Sequence, residues 1–514
     1  MDDEIGDVVV VGGGDIGLLT ALSINKLNPE MDVTVVDDLQ RDAPAVGKST
    51  FKKIQDILHG TLDIDERRFI GEVRPVWKGA LYFRDWCDRT AFHYPFDPED
   101  KYPDPKNPNA VEHYYHQYAD LYDSPDHLTK GEAIVEKGKS PWFFGPDGNL
   151  DRYEKVAYHL NTKRFASFLR TVCRERGISI VDDAITGVET TGAHIDGVLS
   201  EEARYEGDLY VDATGFGRVL RREQDAEFRD FGFPLDSAYT VRIDRDLSEV
   251  LPATAVDTGD HGWFWQIDTY DERDLGYVFS SEHVDDETAL EEFLGHIPDV
   301  APDSAGGDPD VDRDDVAKYE FSSGYYDRAW IENCVAIGNS QGFVEPLQST
   351  GLTGNATAAE KLATMLSIRG GIADDRFREE YNTWVRWVWE SIYDFIAIHY
   401  RYATGETAFW RDVATREYSP RVDAIVEQFD RNGLTREVVP LSEDDDLLKL
   451  SIFSLPDFYT MMRNLGAESV FYETNDFDVS EEVVRKHDEY YERIDAEVEE
   501  HLTTRELYEG LLQF

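Results

Sequence analysis

The feature that most constrains the fold lies near the N-terminus. Asp7-Val8-Val9-Val10-Val11 is a short apolar run that enters Gly12-Gly13-Gly14-Asp15-Ile16-Gly17, followed by Leu18-Leu19-Thr20-Ala21-Leu22. An unbroken apolar run of this length suits a strand buried on both faces of a parallel sheet, and the residues after it suit a helix. Gly12, Gly14 and Gly17 satisfy G-x-G-x-x-G. The first allows a tight turn, the second lets a pyrophosphate approach the backbone, and the third lets helix and strand pack closely. A second strand, Val33-Thr34-Val35-Val36, ends at Asp37, twenty residues after Gly17, where a carboxylate can bond a ribose hydroxyl. This order predicts a dinucleotide site in an α/β fold. A plain glycine turn beside a surface acid is the alternative, and NAD or FAD is open at this point.

Two later stretches bear on that choice. Residues 207–217 read as a strand ending in Ala213-Thr214-Gly215, the returning strand common in two-dinucleotide-type flavoproteins. Val335-Ala336-Ile337 ends at Gly338 and Asn339, and a small-residue helix follows Ser349-Thr350-Gly351. Such a strand–loop–helix junction offers backbone N–H groups and the positive end of a helix dipole to an anion or a cofactor phosphate. No second G-x-G-x-x-G occurs, so a separate nicotinamide domain is not expected. The pattern points to a flavoenzyme that takes reduced flavin from elsewhere or binds NAD(P)H transiently.

Composition sets outer bounds. The formal net charge of -54 comes from 105 acidic against 51 basic residues, yet 41% of the chain is hydrophobic and apolar runs recur, which favours a packed globule over disorder. Acid spread along a folded chain is expected of a salt-rich cytoplasm, where surface carboxylates hold hydration; stability rising with KCl would bear this out. The charge argues against nucleic acid and anionic membranes as partners. Cys87, Cys173 and Cys334 are far apart, so neither a metal cluster nor a disulfide framework is expected. The N-terminus lacks a basic signal region, and no apolar run approaches the ~18–20 residues of a membrane span.

Between the landmarks, Val76-Trp77-Lys78-Gly79-Ala80-Leu81-Tyr82-Phe83 has β-type composition interrupted by Lys78. That lysine either points to solvent from one strand face or enters a dry pocket, where burial would change its chemistry. Residues 161–177 predict an amphipathic helix with Phe165, Phe168, Leu169 and Val172 on one face and Gly177 as its cap. Residues 262–268 form an aromatic strand, with 276–281 its partner across a turn holding Asp271, Glu272, Arg273 and Asp274. Aromatic strands serve cores more often than binding sites. Helices are expected at 377–400, 420–433, 444–466 and 480–512, the last with Val484, His487, Tyr491, Ile494 and Val498 on one stripe.

In order along the chain, these landmarks resemble the tryptophan halogenase family of flavin-dependent halogenases. Val46-Gly47-Lys48-Ser49-Thr50 is similar to the family's GVGEAT/GVGEST loop, and Trp77-Lys78-Gly79-Ala80 to its lysine strand. Residues 263–268 (WFWQID) resemble WxWxIP, and residues 343–351 (FVEPLQSTG) resemble FVEPLESTG; Asp394 to Tyr400 and Phe409-Trp410 match its helical region. The resemblance implies a two-dinucleotide-type, Rossmann-like FAD-binding domain over 1–365, with a substrate-side insertion at about 90–150. A mainly helical substrate-covering subdomain would occupy 366–514. It implies that FADH2, supplied by a separate flavin reductase, oxygen and chloride or bromide yield hypohalous acid, which halogenates a small aromatic, tryptophan- or indole-like substrate. Lys78 is the implied catalytic residue. Gly12, Gly14, Gly17, Asp37, Gly47, Lys48, Ser49 and Asn339 are the implied cofactor residues, and Thr350 and Gly351 the halide residues. A homodimer is left open.

Three positions depart from the family. Gln348 replaces a glutamate that stabilises the cationic arene and takes its proton; an amide does neither well. Lys48 replaces the loop glutamate, reversing a charge. Asp268 replaces the proline of WxWxIP, with a consequence for strand geometry. These departures keep two alternatives in view: a flavin monooxygenase that hydroxylates its substrate, and a flavin-binding protein without catalysis.

Overall fold

The computed structural model describes residues 3–41, 47–84, 86, 91–96, 129–301, 311–432, 453, 455–474 and 481–511. Cys87, Ala45, Val46, most of the 90–150 excursion and the start of the 444–466 helix lie outside these residues, as do the side chains of Val484 and His487. The chain divides into two compact units, each assembled from three segments: 1–75, 160–232 and 321–390 in the first, and 76–159, 233–320 and 391–514 in the second.

The first unit is built on a six-stranded sheet. Ser179–Asp182, Asp32–Asp37, Asp7–Val11, Leu209–Asp212 and Cys334–Ala336 run parallel in that spatial order, and Trp330–Ile331 closes the edge antiparallel. Val8 to Val11 are all buried, as a central parallel strand requires. The register sets Val11 beside Val36 and Asp212, and Asp212 beside Ala336. The carboxyl ends of the strands therefore converge on one edge, where doubly wound sheets bind ligands. Three helices, Asp15–Leu27, Thr162–Glu175 and Thr350–Ile368, pack together. The Asn28 side chain ties the end of the first to the third by donating to Ala363 O at 2.9 Å. Thr162–Glu175 buries Phe165, Phe168, Leu169 and Val172, is capped by Asn161 accepting from Arg164 N, and is followed by Gly177 at φ 81°.

The second unit holds a seven-stranded mixed sheet in the order Ala317–Glu320, Ser237–Asp244, Glu272–Phe279, Gly262–Asp268, Ala253–Thr258, Ala80–Arg84 and Ala91–Pro95. The aromatic strand Gly262–Asp268 pairs antiparallel with Glu272–Phe279, with Asp268 opposite Arg273. The partner strand thus begins at Glu272, and the turn is shorter than its charged residues suggest. Arg273 and Asp274 are held in the sheet because their side chains find buried partners. Phe264 stacks on Tyr277 with ring centroids 4.3 Å apart and joins a core closed by the helix Asp286–Val300. Trp265 covers Gly276, where any side chain would collide with its ring.

The described helices after residue 374 are Asp375–Arg401, Ala408–Thr415, Pro420–Asn432, Leu455–Asn464, Val470–Thr474, Glu481–Glu499 and Thr504–Leu511. The expected 480–512 helix is therefore broken. Residues 500–503 turn, and Leu502 exchanges backbone bonds with Ser140 and Trp142. Ile494 and Val498 pack on Ala133 and Ile134, as an apolar stripe would. No helix among the described residues is long and apolar enough to cross a membrane.

Candidate active site

The glycine turn of the first unit has the geometry of a dinucleotide cradle. Gly12 adopts φ 103°, and a Cβ there would lie 2.5 Å from Ala213 O. A Cβ at Gly17 would lie 1.9 Å from Gly12 O, so only glycine lets the helix meet the strand here. Gly14 is exposed and a Cβ there would meet nothing within 4 Å. The middle glycine thus faces open space, at the N-terminus of Asp15–Leu27, where a phosphate can approach. Asp37 leans over this turn, because a Cβ on Gly13 would come within 2.8 Å of its carboxylate. Arg170 reaches the same place from Thr162–Glu175, donating to Gly13 O at 3.2 Å and standing 3.8 Å from Asp37. A cation, an acid for a ribose and an open glycine at a helix N-terminus together fit a dinucleotide.

Lys48 and Ser49 form a two-residue strand, half-buried beside Gly47. Lys48 makes a very short ion pair with Asp15 in the first turn of Asp15–Leu27, and the other Asp15 oxygen accepts from Ile16 N at 3.0 Å. The charge reversed at Lys48 is therefore matched by an acid inside the glycine motif.

The second landmark of this unit is the junction after Cys334–Ala336. Gly338 turns the chain at φ 67°, within the single turn Gly338–Ser340 that carries the half-buried Asn339. Ser340 donates to Asp212 at 2.9 Å and to Gly215 O at 3.0 Å, which fixes this turn to the Asp212 strand end. The helix starts at Thr350, earlier than its small-residue run suggests, from Ser349 in the left-handed region at φ 57°. That conformation costs a serine about 1–2 kcal/mol, and its hydroxyl does not cap the helix. A helix N-terminus of this kind suits an anion. Gly351 is exposed, and a Cβ there would meet nothing within 4 Å, whereas Thr350 is buried. Asn355 joins both parts, accepting from Gly338 N at 3.1 Å and donating to Gly351 O at 2.8 Å. Gln348 and Glu345 are both fully buried beside this junction.

Lys78 belongs to the second unit. It ends the strand Val76–Lys78, which pairs with Ala157–Leu160 so that Lys78 opposes Ala157 and Val76 opposes His159. Gly79 breaks the strand, donating to Pro252 O at 2.8 Å in space where a Cβ would strike Gly131 O. Lys78 is completely buried, and its amine lies 5.1 Å from the centre of the Phe96 ring. Burial holds its pKa well below the ordinary lysine value. Of its two sequence readings, the solvent-facing one is thus set aside. His159, also buried, bonds Asp268 O at 3.0 Å and Thr254 Oγ1 at 2.8 Å. Burial first, and the charge of Lys78 next, lower its pKa to about 3, so the imidazole is neutral. Asp268 extends the strand rather than bending it. Its carboxylate receives Arg273 at 2.7 and 3.0 Å and Leu251 N at 2.8 Å, with Arg245 at 3.8 Å.

Within the first unit the structure brings together Gly12, Gly14, Gly17, Asp37 and Lys48 around one turn, and Thr350 and Gly351 around another. Sequence reasoning missed Asp15, Arg170, Asn355 and His159. Asn355 had a signal, since asparagine is unfavourable inside a helix unless its amide serves the backbone. Asp15 had another, an acid placed in a phosphate motif. Arg170 and His159 had none, because their partners lie far away in sequence.

The family model for tryptophan halogenase matches residues 7–470. The chain is 28% identical over 458 residues to the 7-chloro-L-tryptophan 6-halogenase KtzR of Kutzneria sp. (strain 744), covering 82% of this chain and 84% of that one. It is 27% identical over 486 residues to the tryptophan 7-halogenase RebH of Lentzea aerocolonigenes, covering 87% and 86%. The solved tryptophan 6-halogenase SttH from Streptomyces toxytricini superposes with a TM-score of 0.83 at 25% identity, over 98% of this chain and 99% of that chain. A doubly wound sheet with an open glycine cradle, a buried strand-end lysine and a match over nearly its whole length make this chain a member of the tryptophan halogenase family.

Proposed function

We propose that this chain is a flavin-dependent halogenase that places chlorine or bromine on an electron-rich aromatic, tryptophan- or indole-like compound. The observation that carries this reading is the complete burial of Lys78 at the position of the family's lysine. Bound reduced FAD would supply, with oxygen, the oxidising equivalent that converts halide to hypohalous acid. The residues around Gly12 to Gly17, with Asp37, Lys48, Arg170 and Asn339, hold the dinucleotide. The first turn at Thr350 and Gly351 holds the halide.

A lysine with a lowered pKa is neutral in a larger fraction of molecules. Its amine can hydrogen-bond hypohalous acid, or react with it to give a haloamine and water, and so direct halogen to one ring carbon. The arene must then lose a proton, and Gln348 is not a base near neutral pH. Substrates whose own ring nitrogen or hydroxyl stabilises the cation are therefore favoured over those that need a carboxylate. Reduced flavin comes from a separate reductase, and the acidic surface suits a salt-rich cytoplasm.

The test is the purified protein with photoreduced FAD, oxygen and bromide at high KCl, offered tryptophan and indole analogues. A product with the bromine isotope doublet is expected. A gain of one oxygen atom instead would make the protein a monooxygenase, the alternative that Gln348, Lys48 and Asp268 keep in view. Unchanged substrate with intact FAD binding would make it a flavin-binding protein without catalysis.

A further inference from the structure

Asp15 is an unexpected neighbour for a pyrophosphate. It occupies the first turn of Asp15–Leu27, next to the exposed Gly14 and the open space that faces it. An acid stabilises that helix end when the cradle is empty. Once a dinucleotide enters, the same carboxylate stands beside two phosphate charges and opposes them. Its side chain is only 11% exposed, so water screens it poorly, and it is fixed by the bond from Ile16 N. Lys48 neutralises it from the adjacent two-residue strand, with 32% of its own side chain exposed. A half-exposed lysine has room to lean from one anion to another, and its flexible stem permits this.

We propose that Asp15 and Lys48 form a coupled positioning pair for the cofactor pyrophosphate. Asp15 holds Lys48 across the helix N-terminus, and Lys48 cancels the repulsion that Asp15 would otherwise exert on the phosphates. This inference rests on the reading of the glycine turn as an FAD site and adds that dinucleotide affinity depends on the pair jointly. The lysine that stands in place of the loop glutamate is then matched by an acid inside the glycine motif. Lys48 contributes to binding mainly because Asp15 is present.

The experiment is a double-mutant cycle on the full chain, read as FAD affinity by flavin fluorescence at several KCl concentrations. Thermal unfolding of each variant serves as the check on folding. Lys48→Gln is expected to weaken FAD binding about tenfold at the lowest salt. Asp15→Asn/Lys48→Gln is expected to return to within about threefold of the native affinity, because the repulsion goes with the acid. Lys48→Arg should keep native affinity. The loss in Lys48→Gln should shrink as KCl rises, which a purely structural role would not produce. Equal weakening in Lys48→Gln and in the double variant would overturn the coupling, as would native affinity in Lys48→Gln. If the unaltered chain itself fails to bind FAD, the reading of the glycine turn as an FAD site fails instead.

Discussion

In the dinucleotide cradle, Gly12, Gly13, Gly17 and Asp37 all come from one strand–helix–strand stretch, and backbone sterics fix their geometry. Around Lys78 and the adjoining Gly79 lie Phe96, Gly131, His159 and Pro252, with Asp268 behind His159, drawn from separate stretches of the chain. The cradle is open because side chains are absent, which would let a phosphate reach N–H groups. The lysine amine is dry because surrounding groups bury it completely. The first should therefore be broken by adding a methyl group, and the second by removing an amine.

Lys78→Met tests the second half with the largest expected effect. Arene halogenation should fall about 10³-fold. The melting temperature should stay level or rise, because a desolvated amine is replaced by an apolar chain of similar length. A fall in melting temperature would mean that the lysine is structural. Asp268→Asn should come next, near 3 kcal/mol of lost stability by denaturant unfolding, since Arg273 and Arg245 would keep buried charges without their counter-ion. FAD affinity should not follow that loss if the two regions are built independently.

Adding a methyl group sharpens the other half. Gly17→Ala should cost about 2 kcal/mol and weaken FAD binding, since its Cβ would lie 1.9 Å from Gly12 O. Gly14→Ala faces open space and should weaken FAD binding with little change in melting temperature. Loss of stability in both, or in neither, would contradict the division between packing glycine and phosphate glycine. Gln348→Glu should raise tryptophan halogenation about tenfold by restoring a base, and no gain would place the proton acceptor elsewhere.

The cradle was legible in the sequence because its cause is local. Glycine at Gly12 and Gly17 is demanded by atoms a few bonds away or on the neighbouring strand, and Asp37 follows from strand length. The helix over 162–175 was legible for the same reason. The environment of Lys78 was not, since a lysine among apolar residues reads equally as solvent-facing until its strand partners are known. The resemblance named the residue, and the fold supplied its burial. Asp268 illustrates the same limit. Its charge read as a disturbance of strand geometry, whereas it is the buried partner of two arginines that flank the turn.

The remaining expected effect is the response to pH, which is read one proton at a time. Burial lowers both His159 and His399 to about 3 from an ordinary 6.5. The unfolded chain takes up these protons as pH falls through 6.5, and the folded chain does not until about 3. Their contribution to stability is thus full above that window and is lost as pH falls through it, by about 1.4 kcal/mol per pH unit for each histidine. Removing His159 by His159→Gln should flatten the slope in denaturant titrations by one proton. An unchanged slope would mean that His159 is protonated in the folded state.

The division of labour between the two regions is tested most directly by the fate of the oxidant in Lys78→Met. With photoreduced FAD, oxygen and bromide, this variant should still brominate monochlorodimedone, which captures free hypobromous acid, while bromination of the aromatic substrate falls to background. Arene bromination at the native rate, or loss of both products with FAD still bound, would contradict it.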